Sequence, residues 1–157
     1  MPSEEAVSAE ERERQRALDR AVRALARRDH SAAELRAKLD RAGISEDAQT
    51  DAVGTLERVG YVDDARYARD RAAHLAGRGY GDEWIRADLE ANGIDRETAE
   101  PAVTALEPEV ERAGREATKA GGGTRAVRTL ARRGFSEDTL ESLLAGGIAE
   151  DLPEGVG

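Results

Sequence analysis

From residue 17 onward the chain sets short apolar stripes at helical spacing between glycine-containing breaks, and no stretch has the period-2 alternation of a strand. Leu18, Val22, Leu25 and Ala26 fall at i, i+4, i+7 and i+8 and predict one face of a first helix. Ser31-Ala-Ala-Glu34 has the capping-box pattern that opens a second helix, which closes at Gly43. A third helix starts near Ser45, is expected to pack through Ala52, Val53, Leu56 and Val59, and stops at Gly60. The pentapeptides GISED (43–47) and GFSED (134–138) mark the same kind of joint twice. In each, Gly permits the left-handed turn after a helix, Ser caps the next one, and two acids suit its positive end.

Displacing the sequence by 50 positions lays SAAELRAKLDRAGI over GDEWIRADLEANGI, and twelve of 41 positions between 17–57 and 67–107 are identical. The first-helix stripe then recurs as Ala68, Ala72, Leu75 and Ala76, and the later boundaries recur near Asp82, Gly93 and Asp95. A displacement of 91 matches GFSEDTLESLL to GISEDAQTDAV. There a helix from about Glu109 to Ala120 meets the glycines 121–123, and two more follow to about residue 145. Such periods predict stacked helical units. The expected fold is all-α, an elongated array of three tandem three-helix repeats: 17–60, 61–107 and 108–149. Residues 1–16 form a mobile or helical N-terminal extension, with 1–8 expected to be mobile, and 150–157 a flexible tail. Pro101, inside the third helix of the middle repeat, predicts a kink or a late helix start.

Composition sharpens this reading. There are 29 Ala against 27 Leu, Ile, Val and Phe together, and aromatics are only 3%. Thin layers of helices in close contact through Ala accommodate that balance. Without Cys the chain has no disulfide or thiol chemistry, and without an apolar leader or span a soluble cytoplasmic protein with no membrane partner is expected. The net charge of −9 argues against coating nucleic acid by bulk attraction. It is uneven: residues 81–107 carry two basic residues against eight acidic ones, whereas 17–60 carry eight against eight and 124–145 four against three.

No catalytic constellation is visible. His30 and His74 lack neighbours at ligand spacing, and no cofactor or metal is expected. The pair Asp63-Asp64 suits capping of the helix that begins VDDARYAR better than a metal site. The GGGTR segment at 121–125 has neither the preceding strand nor the GK[ST] of a phosphate loop and reads as a flexible connector. The arginines are more telling. Arg20, Arg23, Arg27 and Arg28 occupy i, i+3, i+7 and i+8, and Arg125, Arg128, Arg132 and Arg133 repeat that spacing. Each quartet is either a solvated face or a contact for phosphate or for a carboxylate-rich protein surface. Tyr61, Tyr67, Tyr80 and Trp84, with Asp63 and Asp64, lie near the junction of the first two repeats, as seam filling or as interface anchors. Asp82 and Glu83 argue against base stacking there.

With these segments in view, the chain resembles the RecX family, regulators of the RecA recombinase. The resemblance rests on ALARRDHSAAELRAKLDRAGI, on LERVGYVDDARYARDRAAHLAGRGYGDEWIRADLEANGI and on LARRGFSEDTLESLL, and covers about residues 17–145. It implies three tandem three-helix repeats and a non-enzymatic regulator, mainly an inhibitor. Such a protein binds the groove of the RecA–single-stranded-DNA filament and reduces filament growth, ATP hydrolysis and strand exchange in recombination, DNA repair and the SOS response. The expected partner is that filament, with at most a weak direct DNA contact, and the expected state is a monomer. The alternative is a helical module that binds single-stranded DNA directly through its arginine stripes.

Overall fold

A computed structural model describes residues 1–147, and among them every regular element is an α-helix. In chain order these are α1 (Glu4–Arg27), α2 (Ala32–Arg41), α3 (Glu46–Arg58), α4 (Asp64–Gly77), α5 (Asp82–Ala91), α6 (Arg96–Thr104), α7 (Glu109–Lys119), α8 (Gly123–Arg132) and α9 (Glu137–Ala145). The flexible tail expected at 150–157 lies outside the described residues. The chain divides into two compact units, residues 1–67 with 92–94, and residues 68–91 with 95 onward.

The joints form as the local sequence dictates. After α2 the Gly43 backbone turns to φ 79°. The Ile44 amide then donates to the Leu39 carbonyl (3.1 Å) and the Gly43 amide to that of Asp40 (3.0 Å). This pair of bonds satisfies carbonyls that a helix end would otherwise leave open. Phe135 and Gly134 repeat it on Leu130 and Ala131 after α8 (3.2 Å each). Ser45 and Ser136 then accept from the amides of Ala48 and Thr139 (3.3 Å each) and start α3 and α9. The Ser31–Glu34 capping box is complete, with both of its bonds present.

In the first unit α1, α2 and α3 enclose Ala17, Ala21, Ala24, Leu35, Leu39, Ile44, Ala48, Ala52, Val53, Leu56 and Val62. The inward face of α1 is therefore the alanine row at 17, 21 and 24, with Leu18 and Leu25 only half-buried beside it. Val22 and Ala26, expected on that face, are exposed, as is Val59, the C-cap of α3. Small side chains let α1 lie close to α3, and Val22 sits about 100° around the helix from Ala21. In the second unit Ala113, Ala117, Ala126, Leu130, Phe135 and Leu143 make the core of α7, α8 and α9. Ile85 and Leu89 of α5 and Ala99, Ala102 and Val103 of α6 are buried there too.

Two expectations change. α6 starts at Arg96, capped by Asp95, and continues through Pro101 to Thr104, so its start is not late. The glycines 121–123 form the turn itself, all three at positive φ, and Gly123 is already the first residue of α8. At the N-terminus, Ser3 caps a helix that begins at Glu4 and runs unbroken into the first repeat.

Candidate partner-binding surfaces

α1 carries Arg20, Arg23 and Arg27 on one exposed face. No ion pair engages these three among the described residues; Arg23 donates to the Asp19 carbonyl (3.3 Å). Arg28 leaves the row. It is the C-cap of α1, in extended backbone, and its guanidinium is tied to Glu34 (2.7 Å) and to the Asp29 carbonyl (2.8 Å). α8 behaves alike. Arg125, Arg128 and Arg132 are exposed and without ion pairs among the described residues, while Arg133 caps the helix and meets Glu116 at 3.4 Å. Each sequence quartet thus reduces to a triplet at i, i+3, i+7. The triplets share a spacing but not a position: one lies on a repeat's first helix, the other on a repeat's second.

The acidic middle is less negative than its sequence suggests. Asp88 takes a two-point contact from Arg71 (2.7 and 2.8 Å), and Glu100 pairs with Arg86 (2.7 Å). Asp82 pairs with Arg112 and Glu107 with Arg115. Arginines outside 81–107 therefore cancel three of its eight acids, Asp82, Asp88 and Glu107, which counting within that stretch misses.

Arg112 is the residue that sequence reasoning overlooked. Its side chain is only 6% exposed, and it donates to the Glu107 carbonyl (2.9 Å), the Tyr80 carbonyl (3.1 Å) and the Asp82 carboxylate. Beside it Glu109 receives the Asp82 amide (2.9 Å), the Ser136 amide and hydroxyl (3.2 and 2.7 Å) and the Thr139 hydroxyl. Burial holds the Asp82 carboxyl above its usual range despite the Arg112 charge, with Glu109 adding to the rise. Burial alone would also raise Glu109, but the donors from Thr139, Ser136 and the Asp82 amide outweigh it and hold it low. The available signal was the position of Arg112 beside Ala113 on the inward side of α7, where an arginine must find acceptors.

The aromatic group expected near the first junction divides. Tyr67 is buried in the first unit, hydrogen-bonded to Glu34, whereas Tyr61 is 66% exposed just past α3 and fills nothing. The two aspartates also part: Asp63 caps its own helix at Arg66 (3.0 Å), but Asp64 accepts from the Ala32 amide (2.9 Å) and so caps α2. In the second unit Tyr80 and Trp84 stack, with centroids 4.9 Å apart and planes inclined by 15°, and Trp84 remains 44% exposed.

His30 is buried, its Nδ1–H donating to the Arg28 carbonyl (2.9 Å) and its Nε2 unpartnered among the described residues, whereas His74 is exposed. Desolvation lowers the His30 pKa. Among the described residues no three His, Asp or Glu side chains are placed to hold a metal, and no helix is long and apolar enough to cross a membrane.

Residues 17–56 match the family model of the RecX first three-helix domain and residues 63–103 that of the second. The chain is 34% identical over 133 residues to the regulatory protein RecX of Stenotrophomonas maltophilia (strain R551-3), covering 78% of this chain and 82% of that one. It is 37% identical over 135 residues to the same-named protein of Xanthomonas axonopodis pv. citri (strain 306), covering 86% and 75%. Its fold is similar to the crystal structure of RecX from Lactobacillus salivarius, with a TM-score of 0.75 at 20% identity, over 89% of this chain and 98% of that one.

Proposed function

The chain belongs to the RecX family, and on that premise we propose that it regulates RecA by binding the groove of the RecA–single-stranded-DNA filament. It acts mainly as an inhibitor, as a monomer in the cytoplasm, limiting filament growth, ATP hydrolysis and strand exchange in recombination, DNA repair and the SOS response. The role is one of binding rather than catalysis and calls for no cofactor.

The observation that supports this reading is the pair of exposed arginine triplets, Arg20, Arg23 and Arg27 on α1 and Arg125, Arg128 and Arg132 on α8. Arginine retains its charge at all physiological pH values and presents a planar fork suited to phosphate and carboxylate. Six of them, without ion pairs among the described residues, keep that capacity available to a partner. Several contact faces on one chain make each further contact intramolecular once the first has formed, so affinity for a repetitive filament exceeds that of any one face. A chain that bridges successive protomers resists the rearrangements of ATP turnover and blocks addition of the next subunit.

RecA ATPase on single-stranded DNA, followed while this protein is titrated, tests the reading. Turnover is expected to fall as the protein is added, and Arg125→Ala/Arg128→Ala/Arg132→Ala is expected to shift the titration to higher concentration with helicity intact. ATPase unchanged up to equimolar protein overturns it.

A further inference from the structure

Trp84 lies outside the buried face of α5. It is 44% exposed, and the buried positions of α5 are Ile85 and Leu89. Its place in the repeat is that of Glu34, the third helical position, where a glutamate closes the capping box of α2. Trp cannot accept that bond, and Gly81, in the place of Ser31, has no hydroxyl to complete it. What the two substitutions create is a flat surface: the Trp84 ring on the Tyr80 ring, half open to solvent.

The charge beside that surface differs from what the sequence implies. Asp82 is neutralised by the buried Arg112. Arg133 and its partner Glu116 both reach the loop before Tyr80, where a Cβ on Gly79 would lie 3.0 Å from the Arg133 Nη1 and 2.8 Å from the Glu116 Oε2, so this pair adds no net charge. The C-terminal end of α8 reaches the platform itself, since a Cβ on Gly134 would fall 2.6 Å from the Trp84 amide nitrogen and Cβ. From that end Arg132, Arg128 and Arg125 run back along one exposed face of α8 over roughly 10 Å. Glu83, exposed and without an ion pair among the described residues, repels phosphate from the α5 side and leaves the α8 side as the attractive one.

We propose that Tyr80 and Trp84 form a stacking platform for a base of single-stranded nucleic acid whose phosphates are met by Arg125, Arg128 and Arg132. Stacked bases on aromatic rings beside a positive track are how single strands are held without sequence preference. The proposal deepens the partner-contact reading of the α8 arginines and rests on it.

The chain has a single tryptophan, so its emission, excited selectively over that of the three tyrosines, reports the platform alone. The full-length protein, without RecA, is titrated at low salt with oligothymidylate and with an abasic strand of the same phosphate number. Oligothymidylate is expected to quench the emission and the abasic strand to leave it unchanged. Trp84→Ala is expected to weaken oligothymidylate binding, read by anisotropy of a labelled strand, by about 5- to 150-fold, the range of one stacked base. Trp84→Phe should retain most of the affinity, which a loss caused by misfolding would not allow. Arg125→Ala/Arg128→Ala/Arg132→Ala should weaken both strands alike; unchanged affinity for both overturns the phosphate part. Equal affinity for the two strands, with no quenching, overturns the platform. If RecA ATPase is nonetheless inhibited, Tyr80 and Trp84 are a protein contact and the regulatory reading stands without them.

Discussion

The joint that α2 makes and the one that α5 makes occupy equivalent places in the repeat and are held by different chemistry. In the first unit a side chain bridges the gap: the Ser31 hydroxyl donates to the Asn92 carbonyl at 2.6 Å, while Asp64 caps Ala32. In the second unit backbone meets backbone, the Gly81 amide donating to the Arg133 carbonyl at 2.8 Å and the Glu83 amide to that of Gly134 at 3.1 Å. A Cβ on Gly81 would lie 2.3 Å from the Phe135 nitrogen, so the residue that serves at position 31 has no room at 81. The closer contact also encloses charge, and Arg112 with Glu109 supplies the partners that enclosure demands. A repeat can thus conserve its geometry while exchanging a hydroxyl bridge for a buried ionic one.

The largest expected effect comes from breaking the ionic joint. Arg112→Ala leaves the Asp82 carboxylate and two backbone carbonyls short of donors in a buried site, and should cost about 3–5 kcal/mol by denaturant unfolding. A loss under 1 kcal/mol would show that water replaces the guanidinium. Next in size is the exchange of the two joint residues. Gly81→Ser forces a side chain against fixed backbone and should cost about 1–3 kcal/mol. The reciprocal Ser31→Gly removes the hydroxyl bond to Asn92 and the cap bond from the Glu34 amide, but Gly remains an acceptable cap, so the cost should be about 1 kcal/mol. Equal costs for the two would mean that the joints are interchangeable after all.

The smallest effect distinguishes the joints by pH. Position 30 holds a buried histidine, and the equivalent position 80 a tyrosine. Desolvation lowers the folded pKa of His30 and outweighs its hydrogen bond to the Arg28 carbonyl, which favours protonation; the Arg28 and Lys38 charges also oppose protonation and Glu34 favours it. The unfolded chain therefore binds the proton more readily than the folded one. The stability that His30 contributes is complete above the ordinary histidine value of about 6.5 and is lost as pH falls through its lower folded value. Unfolding midpoints at pH 7.5 and 5.5 should differ less in His30→Phe than in the parent. An unchanged difference would assign the acid sensitivity elsewhere.

The order in which these features can be read from sequence follows their range along the chain. The joints at Gly43 and Gly134 and the caps at Ser31, Ser45 and Ser136 depend on residues within five positions of each other, so the letters carry them. Family membership was legible for the same reason, since its segments are built around these joints. Asp64 looked like the cap of its own helix because its real acceptor role lies 32 residues away, on the Ala32 amide. Arg112 could not be singled out locally because its acceptors include residues 30 and 32 positions back, at Asp82 and Tyr80. The α1 stripe was displaced by one position because hydrophobicity ranks Val above Ala, whereas close helix packing favours the smaller side chain. The arginine triplets were legible as a pattern, but separating Arg28 and Arg133 from them required knowing where each helix ends.

The alanine rows of α1 and α7 bear on how the protein responds to temperature. Methyl groups withdraw little apolar area from water, and it is that area that gives unfolding its positive heat capacity. A fold cemented this way has a low, broad curve of stability against temperature, giving up peak strength for evenness across the range in which its host lives.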